Sequence, residues 1–418
     1  MKTHASKKIC VVMSQMPDST SPRFLAQLDV LQQMGYFLRI VSLKESACQE
    51  NLFGYSRLKE QTISLKQSKR RIPQALLTLI LLGIIAPIKS LQAFGAMLKM
   101  LFCFKDRKQV IKNYLQAAIL VNQHIIDKEI SHLHAHCERN AVRTTYLSSI
   151  LTSLNSSYLT LPGEIFEPDF MLFKPALIHS AFIFTLSEYE QKILMEKVFS
   201  DIELLPGMFC FLNGIDLEKF EFALSPPPKA PYQFLTTAYL SMKKGLDTVL
   251  YALRELKDEG FNFKYKIVGD GPVREGLENL TKSLGLEEEV IFTGIKPRYE
   301  IPKLLAKADL YLLAPRILPN GEQDSIPLGI KEAMATGVPV VATDCGAMRE
   351  LIESEETGLL VAPDNVSAFA TACKTLLTDH ELRNQIILKA RLQIEGIYDI
   401  HKQAQAFNNY IINHNLPL

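Results

Sequence analysis

The sequence predicts an α/β protein built as two doubly wound domains. Three observations lead there. Short apolar segments alternate with amphipathic ones along all 418 residues. The segment Val338–Ala342 is apolar throughout, as a strand buried on both faces of a parallel sheet must be. A proline-rich break at Glu221–Pro231 (EFALSPPPKAP) packs almost nothing and divides the pattern in two.

In order along the first half, the expected strands are Lys8–Met13, Phe37–Leu43, Ile130–His134, Ser157–Leu161 and Ala181–Leu186, with helical stretches at Phe24–Met34 and Val110–Lys128. Ser21 and Pro22 read as the N-cap and first residue of the first helix. After the break, strands are expected at Phe234–Ala238, Lys264–Val268, Val290–Thr293, Leu310–Leu313, Val338–Ala342 and Gly358–Val361. Helices fill the gaps at Leu246–Glu259, Val273–Leu284, Tyr299–Lys307 and Leu328–Thr336, the last ended by Gly337. The domains drawn from this pattern are residues 1–220, a linker over 221–231, residues 232–395 and a terminal helix over 396–418.

Composition narrows the class. Hydrophobic residues make up 47% and the net charge is +1, which describes a folded chain and gives no electrostatic support for nucleic-acid binding. Seven scattered cysteines without a C-x-x-C pair argue for reduced thiols in a cytosolic compartment. The N-terminal apolar run covers only Ile9–Met13 and reads as a first strand, not a signal peptide.

One region stands apart. From Gln61 to Lys105 there is no acidic residue, whereas Lys66, Lys69, Arg70, Arg71, Lys89, Lys99 and Lys105 are basic. Leu76–Ala86 is too short to cross a bilayer, which takes about 20 apolar residues, and Pro87 interrupts it. Two readings stay open for this basic, apolar-faced helix pair: peripheral contact with an anionic membrane surface, or a cover for the sheet of the first domain.

The chemistry is concentrated in the second half. Asp324 and Glu332 stand eight positions apart, across a loop and into the first turns of a helix. At Leu240–Gly245 (LSMKKG) a strand gives way to a helix whose N-terminus attracts phosphate, and Lys244 adds a full charge there. Gly269–Pro272 (GDGP) permits close backbone approach, and Asn213–Gly214 makes a turn before the linker. His132, His134 and His136 alternate as strand neighbours do, but no second cluster of ligands supports a metal.

The ordered series NGID (Asn213–Asp216), KKG, GDGP, Gly294 of FTG, ADLYLLAP (Ala308–Pro315), the Asp324–Glu332 element with EAMATGVPVVAT, and ETGLLVAPDN (Glu356–Asn365) resembles glycosyltransferase family 4. HAHCERNA (His134–Ala141) and TLSEYEQKIL (Thr185–Leu194) resemble its bacterial surface-polysaccharide subgroup. The resemblance implies the GT-B fold, two Rossmann-like domains facing across a cleft, and a retaining transfer from a nucleotide-diphosphate sugar to a lipid-linked or polysaccharide hydroxyl. It implies no metal and no other cofactor, and the chain has no Asp-x-Asp pair. The protein would work in the cytoplasm, peripheral to the inner face of the cell membrane.

By the same resemblance, Lys244, Asp324 and His136 form the catalytic set. Glu332 takes the ribose, Lys244 the diphosphate, and Asn213, Gly214, Gly269 and Gly294 lie about the donor. Tyr239 stands where the family has an arginine, Pro162 and Ile165 stand where it has histidine and aspartate, and Arg23 is the cation that would replace the missing arginine. These departures keep a second reading, a catalytically silent GT-B protein that binds a sugar nucleotide or a partner glycosyltransferase.

Overall fold

The computed structural model describes residues 8–14, 22–33, 35, 37–44, 62–65, 71–126, 130–136, 139–160, 165, 170–202, 206–224 and 227–413. They form two compact units: Met1–Leu186 with Gln191–Phe211 and Ala404–Leu418, and Ser187–Glu190 with Leu212–Gln403. The division after Phe211 leaves the proline-rich stretch 221–231 inside the second unit.

The first unit runs β1 (Lys8–Met13), α1 (Pro22–Gln33), β2 (Phe37–Ser42), β3 (Thr62–Ser64), α2 (Arg71–Ile85), α3 (Pro87–Cys103) and α4 (Arg107–Ile126). It continues with β4 (His132–His136), α5 (Arg139–Thr152), β5 (Asn155–Leu159), α6 (Lys174–His179), β6 (Phe182–Thr185), α7 (Glu188–Val198) and β7 (Gly207–Cys210). All seven strands are parallel, in the order β3-β2-β1-β4-β5-β6-β7. The strands expected at Ile130–His134 and Ser157–Leu161 lie at His132–His136 and Asn155–Leu159, each displaced by two residues. A two-residue displacement keeps every side chain on its own face, so the alternation could not detect it.

One face of this sheet is covered by α4 and α5, through Ala117, Leu120, Ala141 and Leu147. Helices α2 and α3 pack on α4 and α5 rather than on the sheet, with Ala75, Leu82, Ala93 and Met97 buried. On the opposite face, Ile9, Val11, Leu38, Phe182 and Phe184 enclose a cavity of about 30 Å³.

The second unit runs β8 (Tyr232–Thr237), α8 (Leu246–Asp258), β9 (Phe263–Val268), α9 (Arg274–Ser283), β10 (Val290–Gly294), α10 (Ile301–Leu305) and β11 (Leu310–Leu313). Then come α11 (Leu328–Thr336), β12 (Val340–Thr343), α12 (Met348–Leu351), β13 (Leu359–Val361), α13 (Val366–Thr378) and α14 (His380–Gln393), followed by α15 (Ile400–Asn413), which passes into the first unit at Ala404. Its strands are parallel in the order β10-β9-β8-β11-β12-β13. Helix α11 stops where the sequence predicts: Gly337 takes a left-handed φ of 89°, and Val338 N–H bonds back to Ala333 O at 2.9 Å.

The chain winds outward from β8 through β9 to β10, then returns and winds the other way from β11. The order therefore reverses between β8 and β11, and in such sheets ligands bind at the carboxyl ends flanking that reversal. In the first sheet the reversal falls between β1 and β4.

Candidate donor site

Two loops leave the reversal in the second sheet. The loop after β8 carries Lys243 and Lys244 in a short 3-10 turn (Met242–Lys244), and the loop after β11 carries Asp324. They meet: Lys244 Nζ lies 2.6 Å from Asp324 Oδ2, and both side chains are largely buried. Lys243 Nζ is 3.1 Å from Glu322 and 3.9 Å from the other oxygen of Asp324. Asp324 Oδ2 has no aligned hydrogen-bond donor, so its link to Lys244 is a close charge contact rather than a directed bond. Two lysines thus share one carboxylate at the strand ends.

Glycines bring these loops together. At Gly245 (φ 61°) a Cβ would fall 1.7 Å from Ala314 O, so the turn after Lys244 rests directly on the chain leaving β11. At Gly269 (φ 140°) a Cβ would fall 1.8 Å from Ala238 O, which seats the loop after β9 on the loop after β8. Gly294 is different. Its φ is 70°, but the nearest atom to a Cβ there is the end of a flexible side chain, Arg274 Nη1, at an ordinary contact distance of 3.7 Å. Helices α8, α9 and α11 begin without a side-chain cap, which leaves first-turn N–H groups for an anion. Two buried hydroxyls beside the charged residues, Ser241 and Ser325, have no protein partner.

Glu332 is buried in α11, and its Oε1 lies 2.5 Å from Arg298 Nη2, on the 3-10 turn (Arg298–Glu300) after β10. An ionised carboxylate accepts about four hydrogen bonds, so this pair leaves capacity for the hydroxyls of a ribose. Gly329 holds the helix start in place, since a Cβ there would fall 2.0 Å from the Tyr311 hydroxyl. Arg316, also past β11, is tied to Asp247 at 2.6 Å and Asp364 at 3.2 Å, and its N–H bonds to Lys243 O at 3.0 Å. Cys345, a buried neighbour of Asp324, has its thiol pushed up to about 11 by burial and then by nearby carboxylates.

The sequence singled out neither Arg298 nor Arg316 for this site, and it carried Lys243 only as part of KKG, without a role. Their charged partners are remote in sequence. Tyr239 is 65% exposed at the same strand ends and places no charge there.

The remaining expected residues fall on other segments. Asn213 accepts at its carbonyl oxygen from the buried Lys331 Nζ at 2.6 Å. Gly214 presses on Ile400, whose Cα would lie 2.5 Å from a Cβ, and Ile215 bridges to Asp399, so this segment is knit to the chain around Ile400. His136 ends β4 and Arg23 lies in the first turn of α1, so both flank the reversal of the first sheet, not the second. The Arg23 side chain, Ser21 and Pro162 are outside the described residues; Ile165 is buried. Burial first, and then the His134 charge, hold the His136 ring well below the ordinary histidine range.

His132 and His134 face the core rather than a ligand. Ser157 Oγ sits 2.7 Å from His132 Nε2 and 2.8 Å from His134 Nδ1. One hydroxyl has one proton, so one ring nitrogen accepts from it and the other donates to it. Burial lowers both rings to about 3. Among the described residues no three His, Cys, Asp or Glu side chains are grouped to hold a metal ion.

Two all-parallel α/β units, one with lysines and carboxylates at its strand reversal, place this chain in the GT-B class. Residues 218–393 match the family model described as Glycosyl transferases group 1, so the chain carries a group 1 glycosyltransferase domain. It is 33% identical over 204 residues to the putative colanic acid biosynthesis glycosyltransferase WcaL of Salmonella typhimurium, covering 49% of this chain and 48% of that protein. It is 34% identical over 188 residues to the amylovoran biosynthesis glycosyltransferase AmsK of Erwinia amylovora, covering 45% and 46%. The chain spans about half the length of these curated relatives in each alignment. Among solved structures, the Rickettsia africae glycosyltransferase superposes with a TM-score of 0.71 at 15% identity, covering 98% of this chain and 99% of that one. Anabaena HepE, solved with UDP and glucose, gives 0.69 at 18% identity, covering 97% and 100%. At these identities the likeness is one of fold.

Proposed function

We propose that the protein is a retaining glycosyltransferase that moves a hexosyl group from a nucleotide-diphosphate sugar to a lipid-linked or polysaccharide hydroxyl. The observation that carries this reading is the Lys243–Asp324–Lys244 cluster at the strand reversal, with Glu332 held beside it by Arg298. As the glycosidic bond breaks, negative charge collects on the diphosphate. Lysines at an uncapped helix N-terminus supply the positive charge that meets it, and charge stabilisation of this kind is where such sites gain much of their rate. Donor binding would draw Lys244 toward phosphate and free Asp324 for the hydroxyls of the transferred sugar. Lys243, beside this cluster, is a candidate for the second diphosphate contact that Tyr239 cannot make; Arg23 is the other candidate, by family resemblance alone. The reading needs no resident cofactor. Retention rests on the family resemblance and is read from the anomeric configuration of the product by NMR.

The surface-polysaccharide relatives support a glycan or lipid-linked acceptor, and we place the reaction at the inner face of the cell membrane. Calorimetry with UDP-, GDP- and ADP-sugars, followed by a hydrolysis and transfer assay, tests the proposal. We expect one donor class to bind and turn over. Tyr239 favours the second reading, a silent GT-B protein; a donor that binds but is never hydrolysed or transferred, with mixed glycan and lipid acceptors present, would establish it.

A further inference from the structure

Helices α2 and α3 form an outer layer, and the face they turn away from the protein is apolar. On α3, Ile88, Leu91, Phe94, Leu98 and Phe102 are exposed at spacings of three and four, a single stripe along the helix. Leu77, Ile80 and Ile84 continue it on α2. At the turn between the helices, Ile84, Ile85, Ile88 and Leu91 are each between 70 and 76% exposed. Scattered exposed leucines need no explanation, but a contiguous apolar face made by two helices does.

The charge around this face is of one sign. Between Arg71 and Lys105 the charged residues are Arg71, Lys89, Lys99 and Lys105, with no carboxylate among them. No described helix is long and apolar enough to cross a membrane. Pro87, at the first position of α3, breaks the run so that the apolar tip is a bend, not a span. An apolar bend flanked by lysines, with nothing acidic to repel phosphate headgroups, fits one surface: the interface of an anionic bilayer.

We propose that the α2–α3 hairpin is a monotopic anchor that inserts Ile84, Ile85, Ile88 and Leu91 into one leaflet, with Lys89 and Lys99 on anionic headgroups. It rests on the proposed function only for the place of the acceptor. The sequence placed this contact in residues 61–105; of the basic residues there, Lys66, Lys69 and Arg70 lie outside the described residues, and the exposed apolar tip puts the weight on α2 and α3.

The chain contains no tryptophan, so Leu91→Trp is a single-site reporter in the full-length protein. Its emission should shift to the blue with phosphatidylcholine–phosphatidylglycerol vesicles, and less with phosphatidylcholine alone. Ile84→Ser with Ile88→Ser should lower the vesicle-bound fraction by about tenfold or more, as expected for apolar side chains lost from the interior. Lys89→Gln with Lys99→Gln should remove only the preference for phosphatidylglycerol. Unchanged Leu91→Trp emission, or full flotation of the serine variant, would overturn the anchor. So would a wild-type dimer that the serine variant makes monomeric while neither floats, because a second copy would then cover the face. Donor calorimetry on the serine variant reports on the other site: vesicle binding without donor binding sinks the donor reading alone, and donor binding without vesicle binding sinks the anchor alone.

Discussion

Lys244 and Asp324 pair at 2.6 Å, and the proposed donor would have to separate them. Lys244→Ala should lower turnover by roughly 2–3 kcal/mol, the effect of one lost charge contact in a dry site, and weaken donor binding in calorimetry. Lys243→Ala and Arg23→Ala rank the two candidates for the second contact; equal and full activity in both would remove each from the site. The buried histidines set a different prediction. His132 and His134 titrate near 3 when folded, whereas free histidine titrates near 6.5. Below about pH 6.5 the unfolded chain therefore binds protons that the folded chain refuses, and stability falls as pH drops toward 3. At about pH 5 each ring accounts for roughly 2 kcal/mol. Denaturant melts at pH 7 and 5 should show this loss, and His132→Leu should flatten it; an unchanged slope would refute the assignment. Strand spacing showed that these histidines share a face. It could not show that the face is the core, because that depends on Ser157, Phe182 and Phe184 arriving from β5 and β6.

At the scale of elements, Gly269 and Gly294 carry the same motif-level expectation and a different geometry. Gly269→Ala would drive a methyl into a backbone oxygen, so the loops after β8 and β9 must separate. We expect that variant to lose both stability and donor affinity. Gly294→Ala makes only an ordinary contact with the Arg274 side chain and costs the left-handed backbone term of about 1–2 kcal/mol. It should melt close to wild type yet bind donor more weakly, because its methyl fills space where a ligand would approach; wild-type affinity in this variant would place the ligand elsewhere. Most elements were legible in the sequence, since continuous apolar strands and helical stripes survive without context. Helix α11 and its Gly337 stop fell where the pattern put them. Strands β3 and β7 were not foreseen. Both are edges of the first sheet, short and only half-buried, so neither carries a strong pattern. The charged pairs were equally hidden, because Arg298 and Glu332 are 34 residues apart.

At the scale of the molecule, each unit has its own hydrophobic core, and helix α15 is divided between the two units at Gln403 and Ala404. Helix α15 starts among residues of the second unit, and from Ala404 onward it belongs to the first. There Phe407 packs 5.2 Å from the Phe184 ring and 5.4 Å from Phe211, and Tyr410 packs 4.7 Å from Phe209. The terminal segment therefore completes the first unit rather than trailing from the second. Removing a buried phenyl ring of this kind typically costs about 3–5 kcal/mol. Phe407→Ala should lower the melting of the first unit, whereas a bound donor should raise only the second, by about 2.7 kcal/mol at a hundredfold excess over Kd. Calorimetric scans of wild type and Phe407→Ala, each with and without donor, should thus show two transitions, each moved by one perturbation. A single transition shifted by both would mean that the chain unfolds as one cooperative body. The donor's stabilisation would then be shared with the aromatic cluster under α15, and the separate-core account would fail.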